Sequence, residues 1–212
     1  MRRVQAELIL VFEKFGTPHR IRVDNGRPFG DPTLELVPPL ALWLIGMGID
    51  VVWNRPSRPQ DNGKVERCQG VMGRWTEYQK CTDAAQLQQR LYREADFYNR
   101  HFPIRRQGGK TRLELHPGLT HTGRKWNPDS FSLGRVLAFL AQGYWERKIT
   151  SSGQIDMYSR RIYIGAAYKH QKVSLKLDPA TNEWRIFLAD GQCIKTQATP
   201  FSHQSIWKLE FS

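Results

Sequence analysis

Arg20-Ile21-Arg22-Val23-Asp24-Asn25-Gly26 and Ile49-Asp50-Val51-Val52-Trp53-Asn54-Arg55-Pro56 are the stretches that decide the fold class. Arg20 to Val23 alternates charged and apolar side chains, the period of a strand, and Asp24-Asn25-Gly26 closes it with strong turn formers. Ile49 to Trp53 is largely apolar and β-branched, with Gly48 before it and Asn54-Arg55-Pro56 after it, which reads as a buried strand. Between them, Pro38-Pro39 is tolerated only in the first turn of a helix, and Gly46-Met47-Gly48 ends that helix. Strand, helix and strand at this spacing make a βαβ unit with parallel pairing, and place the chain in the α/β class.

Working outward, Val4, Leu8, Val11, Phe12 and Phe15 fall on one stripe of an amphipathic helix, which Gly16-Thr17-Pro18 ends. On the other side, Asp61 is expected to cap a third helix running to Lys80. Thr82-Asp83 should open a fourth, with Ala84, Leu87, Leu91, Ala95 and Tyr98 inward. His101 to Asp129 has no sustained period and reads as a connection. Short alternating runs follow at 144–150, 154–158, 161–165, 173–178, 184–189 and 194–198, separated by Ser151-Ser152-Gly153, Asp178-Pro179 and Asp190-Gly191. Such runs predict a small all-β barrel or sandwich. The expected division is 1–102, a connection over 103–132, a β-rich domain over 133–200, and a tail over 201–212.

The 212 residues carry a net charge of +12, and 40% hydrophobic content excludes wholesale disorder. The surplus is uneven: 17 Lys/Arg stand against 8 Asp/Glu in residues 101–212, but 15 against 12 in residues 1–100. A basic C-terminal half favours a polyanionic partner. Cys68, Cys81 and Cys193 form no C-x-x-C pair, which argues against a zinc knuckle or disulfide framework and for a reducing compartment. Met1-Arg2-Arg3 imitates a signal peptide, but Glu7, Glu13 and Lys14 interrupt it and no small-residue cleavage site follows. The longest apolar run, Leu36 to Ile49, contains Pro38-Pro39 and is too short to span a bilayer. The expectation is a soluble cytoplasmic protein, nucleoid-associated in a bacterium, with no membrane partner and no small-molecule substrate.

Two acids stand where chemistry is placed. Asp24 sits at the carboxyl end of a predicted strand, the edge at which α/β sheets present functional groups. Glu66 lies early in a predicted helix with Lys64 and Arg67 beside it, suited to holding a phosphate nearby. Each also has a plain reading: Asp24-Asn25-Gly26 as a β-turn, and Glu66 as part of a solvated helix face.

The combination resembles a family. Gly16-Thr17-Pro18, Ile21, Val23-Asp24-Asn25-Gly26 and Phe29 resemble the second-aspartate motif of integrase-core (DDE) transposases. Arg55-Pro56, Pro59-Gln60 and Asp61-Asn62-Gly63-Lys64-Val65-Glu66-Arg67 resemble the final-glutamate motif, closest to bacterial insertion-sequence transposases carrying "NGKVER". The two acids are separated by 41 residues, on the long side for that family, and Tyr98-Asn99 resembles its closing Tyr-Asn without the usual Arg-Pro-His. The resemblance covers roughly residues 3–115 and implies an RNase H-like core.

It further implies DNA transposition by strand transfer. Three carboxylates hold two Mg²⁺ (or Mn²⁺) ions, one activating a water or a DNA 3′-hydroxyl and the other stabilising the leaving oxygen. Asp24 and Glu66 would be two of those ligands, their carboxyls converging. Asn25, Arg55, Arg58, Asn62, Lys64 and Arg67 would face DNA. The family's first aspartate lies on a strand before the first helix, within three strands that this chain does not contain. Asp31 and Asp50 are poor substitutes. The expectation is therefore a fragment or gene remnant with an exposed edge at the Asp24 strand, weak metal binding and negligible strand transfer alone. The alternative is a non-catalytic DNA-binding remnant.

The β-rich region resembles the SH3-like barrel that follows many such cores. Its Arg147, Lys148, Arg160, Arg161, Lys169, Lys172 and Lys176 lie among Tyr144, Trp145, Tyr158, Tyr163 and Tyr168, a mixture that suits phosphate contact with stacking. Strand aromatics also serve simply as packing. Of the cations, Arg147, Lys148, Arg160, Arg161 and Lys172 are the expected DNA contacts. The implied partners are element ends and target DNA, with a homo-oligomer expected by analogy.

Overall fold

The computed structural model describes residues 1–30, 36–55 and 58–211; Asp31 lies outside them, as do Pro56 and Ser57. Helices are α1 (Arg2–Phe15), α2 (Pro39–Gly46), α3 (Gly63–Trp75), α4 (Ala84–Arg100), α5 (Arg112–Leu115), α6 (Leu133–Leu140) and α7 (His203–Trp207). Strands are β1 (Arg20–Val23), β2 (Asp50–Trp53), β3 (Trp145–Lys148), β4 (Gln154–Met157), β5 (Arg160–Tyr163), β6 (Lys172–Asp178), β7 (Glu183–Phe187) and β8 (Cys193–Ala198). The chain forms two compact units. One comprises Met1–Leu10, Pro18–Trp53 and Asn127–Ser212, and the other Val11–Thr17 and Asn54–Trp126. That division crosses the boundaries expected at 102/103 and 132/133.

In the first unit, β1 and β2 pair in parallel from Arg20↔Asp50 to Val23↔Trp53, with α2 between them in the chain. The βαβ reading holds. Among the described residues β1 pairs with β2 alone. Apolar on all sides, α2 buries Leu40, Ala41, Leu42, Trp43 and Leu44 completely. It packs on α6, α7 and β2, with Trp43 edge-on to Trp207 at 6.2 Å. Neither α6 nor α7 was expected: the stretch 201–212, read as a tail, buries Phe201, Ile206 and Leu209.

The remaining strands give an antiparallel sheet in the order β3-β6-β7-β8 and a separate ribbon, β4-β5. Among the described residues no sheet closes on itself, so the expected barrel is observed as two open sheets. The ribbon turns sharply at its base. Gly153 has φ 76°, and a side chain there would meet the Gly165 carbonyl at 2.8 Å. Along β6, Val173, Leu175 and Leu177 face inward with Trp184 and Ile186 of β7, the period-two burial that the sequence shows.

In the second unit α3 ends at Trp75, earlier than expected, because Glu77 turns to φ 44°; a 3₁₀ turn, Tyr78–Lys80, follows. Asp83 caps α4 as read, accepting from the Gln86 amide at 2.8 Å. The inward stripe of α4 is only half covered at Leu87, Leu91, Ala95 and Tyr98, and Ala84 is exposed. Trp75 sits among Phe97, Tyr98 and Phe102 at 5.1–5.8 Å. The stretch read as a connection carries α5 and an antiparallel bridge, Ile104↔Lys110. Among the described residues no helix is long and apolar enough to cross a membrane.

Candidate nucleic-acid interface

Asp24 follows β1 directly and is exposed. One of its carboxylate oxygens accepts from the Gly26 amide at 3.1 Å, so the turn reading and the presentation of a carboxylate hold together. Glycine is needed close by: a side chain on Gly30 would fall 2.3 Å from the Asn25 main chain, and the Gly30 amide donates to Gly26 at 2.8 Å. Trp53 steadies the same loop by donating to the Phe29 carbonyl at 2.9 Å.

Glu66 lies in the first turn of α3, exposed, with Lys64 and Arg67 exposed beside it. The entry to that helix differs from expectation. Asp61 is not its cap; it lies in a 3₁₀ turn, Pro59–Asn62, and accepts from the Arg55 amide (3.2 Å), Nε (3.1 Å) and Nη2 (2.8 Å). The Asp61 hydrogen bonds and charge raise the Arg55 pKa above its ordinary value. Arg55 thus has part of its guanidinium committed to Asp61. Asn62, at the cap position, receives Asn54 Nδ2 at 2.6 Å in place of capping the helix. Arg58 is exposed.

Asp24 belongs to the first unit, and Glu66 to the second. Each presents hard oxygens and, among the described residues, neither is in an ion pair; a single carboxylate of this kind is the donor type that Mg²⁺ takes, with waters and phosphate oxygens completing its shell. Among the described residues no group of three or more His, Cys, Asp or Glu side chains is assembled for a metal.

The basic residues of the β-rich region separate onto different surfaces. On the solvent face of the four-stranded sheet Lys148 stands directly opposite Lys172, and Lys176 directly opposite Arg185. Like charges across strands disfavour the sheet. Glu146 partly offsets Lys172 at 3.8 Å and Asp178 pairs with Arg185, whereas Lys148 has no carboxylate partner among the described residues. Tyr144 is 68% exposed, with the Lys176 ammonium 5.3 Å from its ring centre. Arg161 lies on the ribbon beside Asp156 at 3.6 Å, and Arg160 is half-buried. Arg147 alternates to the other side of β3 and bonds the Glu146 and Asp156 carbonyls. Trp145 and Tyr158 pack against Trp184, Tyr158 buried in the core and Trp145 half-buried at its edge, while Tyr163 is exposed.

No protein-family model matches the chain. What the residues themselves offer is a carboxylate at the end of a parallel strand, a second at the start of a basic helix, and a sheet face on which cations oppose cations.

Sequence reading passed over one feature, the basic hairpin at 104–110. The signal was present in Arg105-Arg106-Gln107-Gly108-Gly109-Lys110, where a glycine pair follows charged residues with no apolar period.

Proposed function

We propose that this chain is part of a DDE-type transposase or integrase: an RNase H-like core segment and a basic β-rich segment related to the SH3-like domains of such proteins, acting on DNA. The observation that carries the reading is Asn62-Gly63-Lys64-Val65-Glu66-Arg67 opening a helix after a parallel βαβ unit whose first strand ends in Asp24. Asp24 and Glu66 supply two of the carboxylates. Divalent ions, when bound, would polarise a phosphodiester and activate the attacking hydroxyl. Lys64 and Arg67 hold the phosphate by charge. The opposed Lys148/Lys172 and Lys176/Arg185 pairs support a polyanion at the sheet face, since a phosphate backbone relieves the repulsion that the fold tolerates.

With two carboxylates from residues 1–212, strand transfer by this chain alone is expected to be negligible, so the test uses binding. Mn²⁺ titrated into the isotope-labelled chain should broaden the Asp24 and Glu66 amide signals together, and Asp24→Asn should abolish both effects. Broadening at only one of the two, or at neither, would sink the metal-site reading.

A further inference from the structure

Resting on the DNA-binding reading above, we infer that the hairpin from Ile104 to Lys110 is a preformed contact for a nucleic-acid phosphate backbone. The Ile104 amide donates to the Lys110 carbonyl at 2.9 Å, and the Gln107 and Gly109 amides donate to the Ile104 carbonyl at 2.9 and 3.2 Å. Gly108 and Gly109 take φ 67° and 80° in succession, a reversal that side-chain-bearing residues would strain.

The hairpin's base is fixed. The Arg112 guanidinium lies 3.3 Å from the Tyr98 ring centre and donates to the Tyr98 and Phe102 carbonyls at 2.9 and 3.3 Å. Thr111 and Glu114 close a capping box on α5. The Glu114 carboxylate, the nearest acid in sequence, accepts from the Thr111 amide at 2.6 Å.

Arg105, Arg106 and Lys110 project from this scaffold, exposed, with no ion pair or hydrogen bond from their side chains to described residues. No Asp or Glu occurs from Phe97 to Leu113. The same unit pairs other cations: Lys80 with Glu77, Arg93 with Glu94, and Arg100 with Asp96. The bond from the Thr111 amide lowers the Glu114 pKa most, and Lys110 is near enough to help lower it, but that carboxylate is already engaged by the amide, and Arg105 and Arg106 have no acidic partner among the described residues. Cations in such excess over acids on one hairpin form an electrostatic site for an anion. The Arg-Arg-Gln-Gly-Gly tip has no apolar side chain to enter a lipid surface, which favours nucleic acid over membrane.

The test is fluorescence anisotropy of the full chain with a labelled mixed-sequence duplex across a KCl series. The variant Arg105→Ala/Arg106→Ala/Lys110→Ala should lower the slope of log K against log salt by about 2–3, at roughly 0.9 per phosphate contact. Lys80→Ala/Arg93→Ala/Arg100→Ala removes the same charge from paired positions and should change the slope by less than about 1. Arg105→Lys/Arg106→Lys should keep most of the binding. If the wild type binds DNA and the hairpin variant keeps its slope, or loses no more than the control, the inference is overturned while the DNA reading stands. Wild-type chain that fails to bind DNA overturns both, and so does a hairpin effect confined to phosphatidylserine vesicles.

Discussion

A methyl group on Gly46 would sit 2.2 Å from the Phe131 ring, so the absence of a side chain there sets how closely α2 and the segment before α6 approach. In an open helix, alanine in place of glycine gains about 0.8–1 kcal/mol. Here overpacking costs about 1–3 kcal/mol. Gly46→Ala should therefore lower stability by about 1–2 kcal/mol in urea melts, and a gain would mean that Phe131 moves aside freely. Tyr158 gives the opposite case. It is buried, and its hydroxyl approaches the Val37 main chain without reaching hydrogen-bond geometry. Burial raises its pKa well above the ordinary value, with the Val37 main chain and the Arg147 charge offsetting this only in part. The unfolded chain releases that proton near pH 10 and the folded chain holds it, so the Tyr158 contribution is complete below about pH 10 and lost as pH rises beyond it. Tyr158→Phe should leave neutral-pH stability within about 1 kcal/mol of wild type and flatten its alkaline decline. An unchanged alkaline decline would show that the phenol is not what titrates.

Helix α3 shows how element-level reading succeeds and where it stops. Its start was legible near Asp61, but its end was not, because the break at Glu77 is a backbone turn with no glycine or proline to announce it. The βαβ unit and the Asp83 cap were legible because each rests on local chemistry: prolines confined to a first turn, and a carboxylate three residues before an amide. Barrel closure was not, since pairing between distant strands leaves no trace in period-two patterning. Nor was α7, whose burial of Ile206 depends on α2 being there to receive it. At the candidate site the motif singles out Asp24 and Glu66, and the structure puts the first just after β1 and the second in the first turn of α3. The sorting of Arg147 and Lys148 to opposite sides of β3 follows from strand alternation, yet needed the strand's register to fix it. Within α3, an added Cβ on Gly63, Gly70 or Gly73 meets nothing within 4 Å, and the helix buries no side chain. Gly70→Ala should accordingly strengthen it by about 0.8–1 kcal/mol, read as slower amide exchange along Gly63–Trp75. Faster exchange would imply that the glycine accommodates a contact which alanine spoils.

Across the whole chain the buried apolar side chains are distributed very unevenly. Among the described residues the only apolar side chain that the second unit buries is Phe12, packed near Trp126 at 5.7 Å, while the first unit buries the α2 leucines, Leu140, Leu175, Trp184, Ile186 and others. Burial supplies most of the drive to fold, at about 25 cal/mol per Å² of apolar surface. A unit whose helices α3 and α4 bury no residue should therefore open locally well below the free energy of global unfolding. Amides of α3 and α4 should exchange at least about 100-fold faster than those of α2, β6 and β7, measured residue by residue under native conditions. A ligand that binds this unit only when folded stabilises it by about 2.7 kcal/mol at a concentration of 100 Kd. Duplex DNA at that excess should then slow α3 and α4 exchange by about 100-fold and leave α2 nearly unaffected. Equal protection in the two units without DNA would mean that the half-covered aromatic cluster around Trp75 contributes as much as the buried core does. Protection in α3 and α4 unchanged by bound DNA would move the DNA contact onto the first unit, with the Lys148/Lys172 sheet face as the place to look.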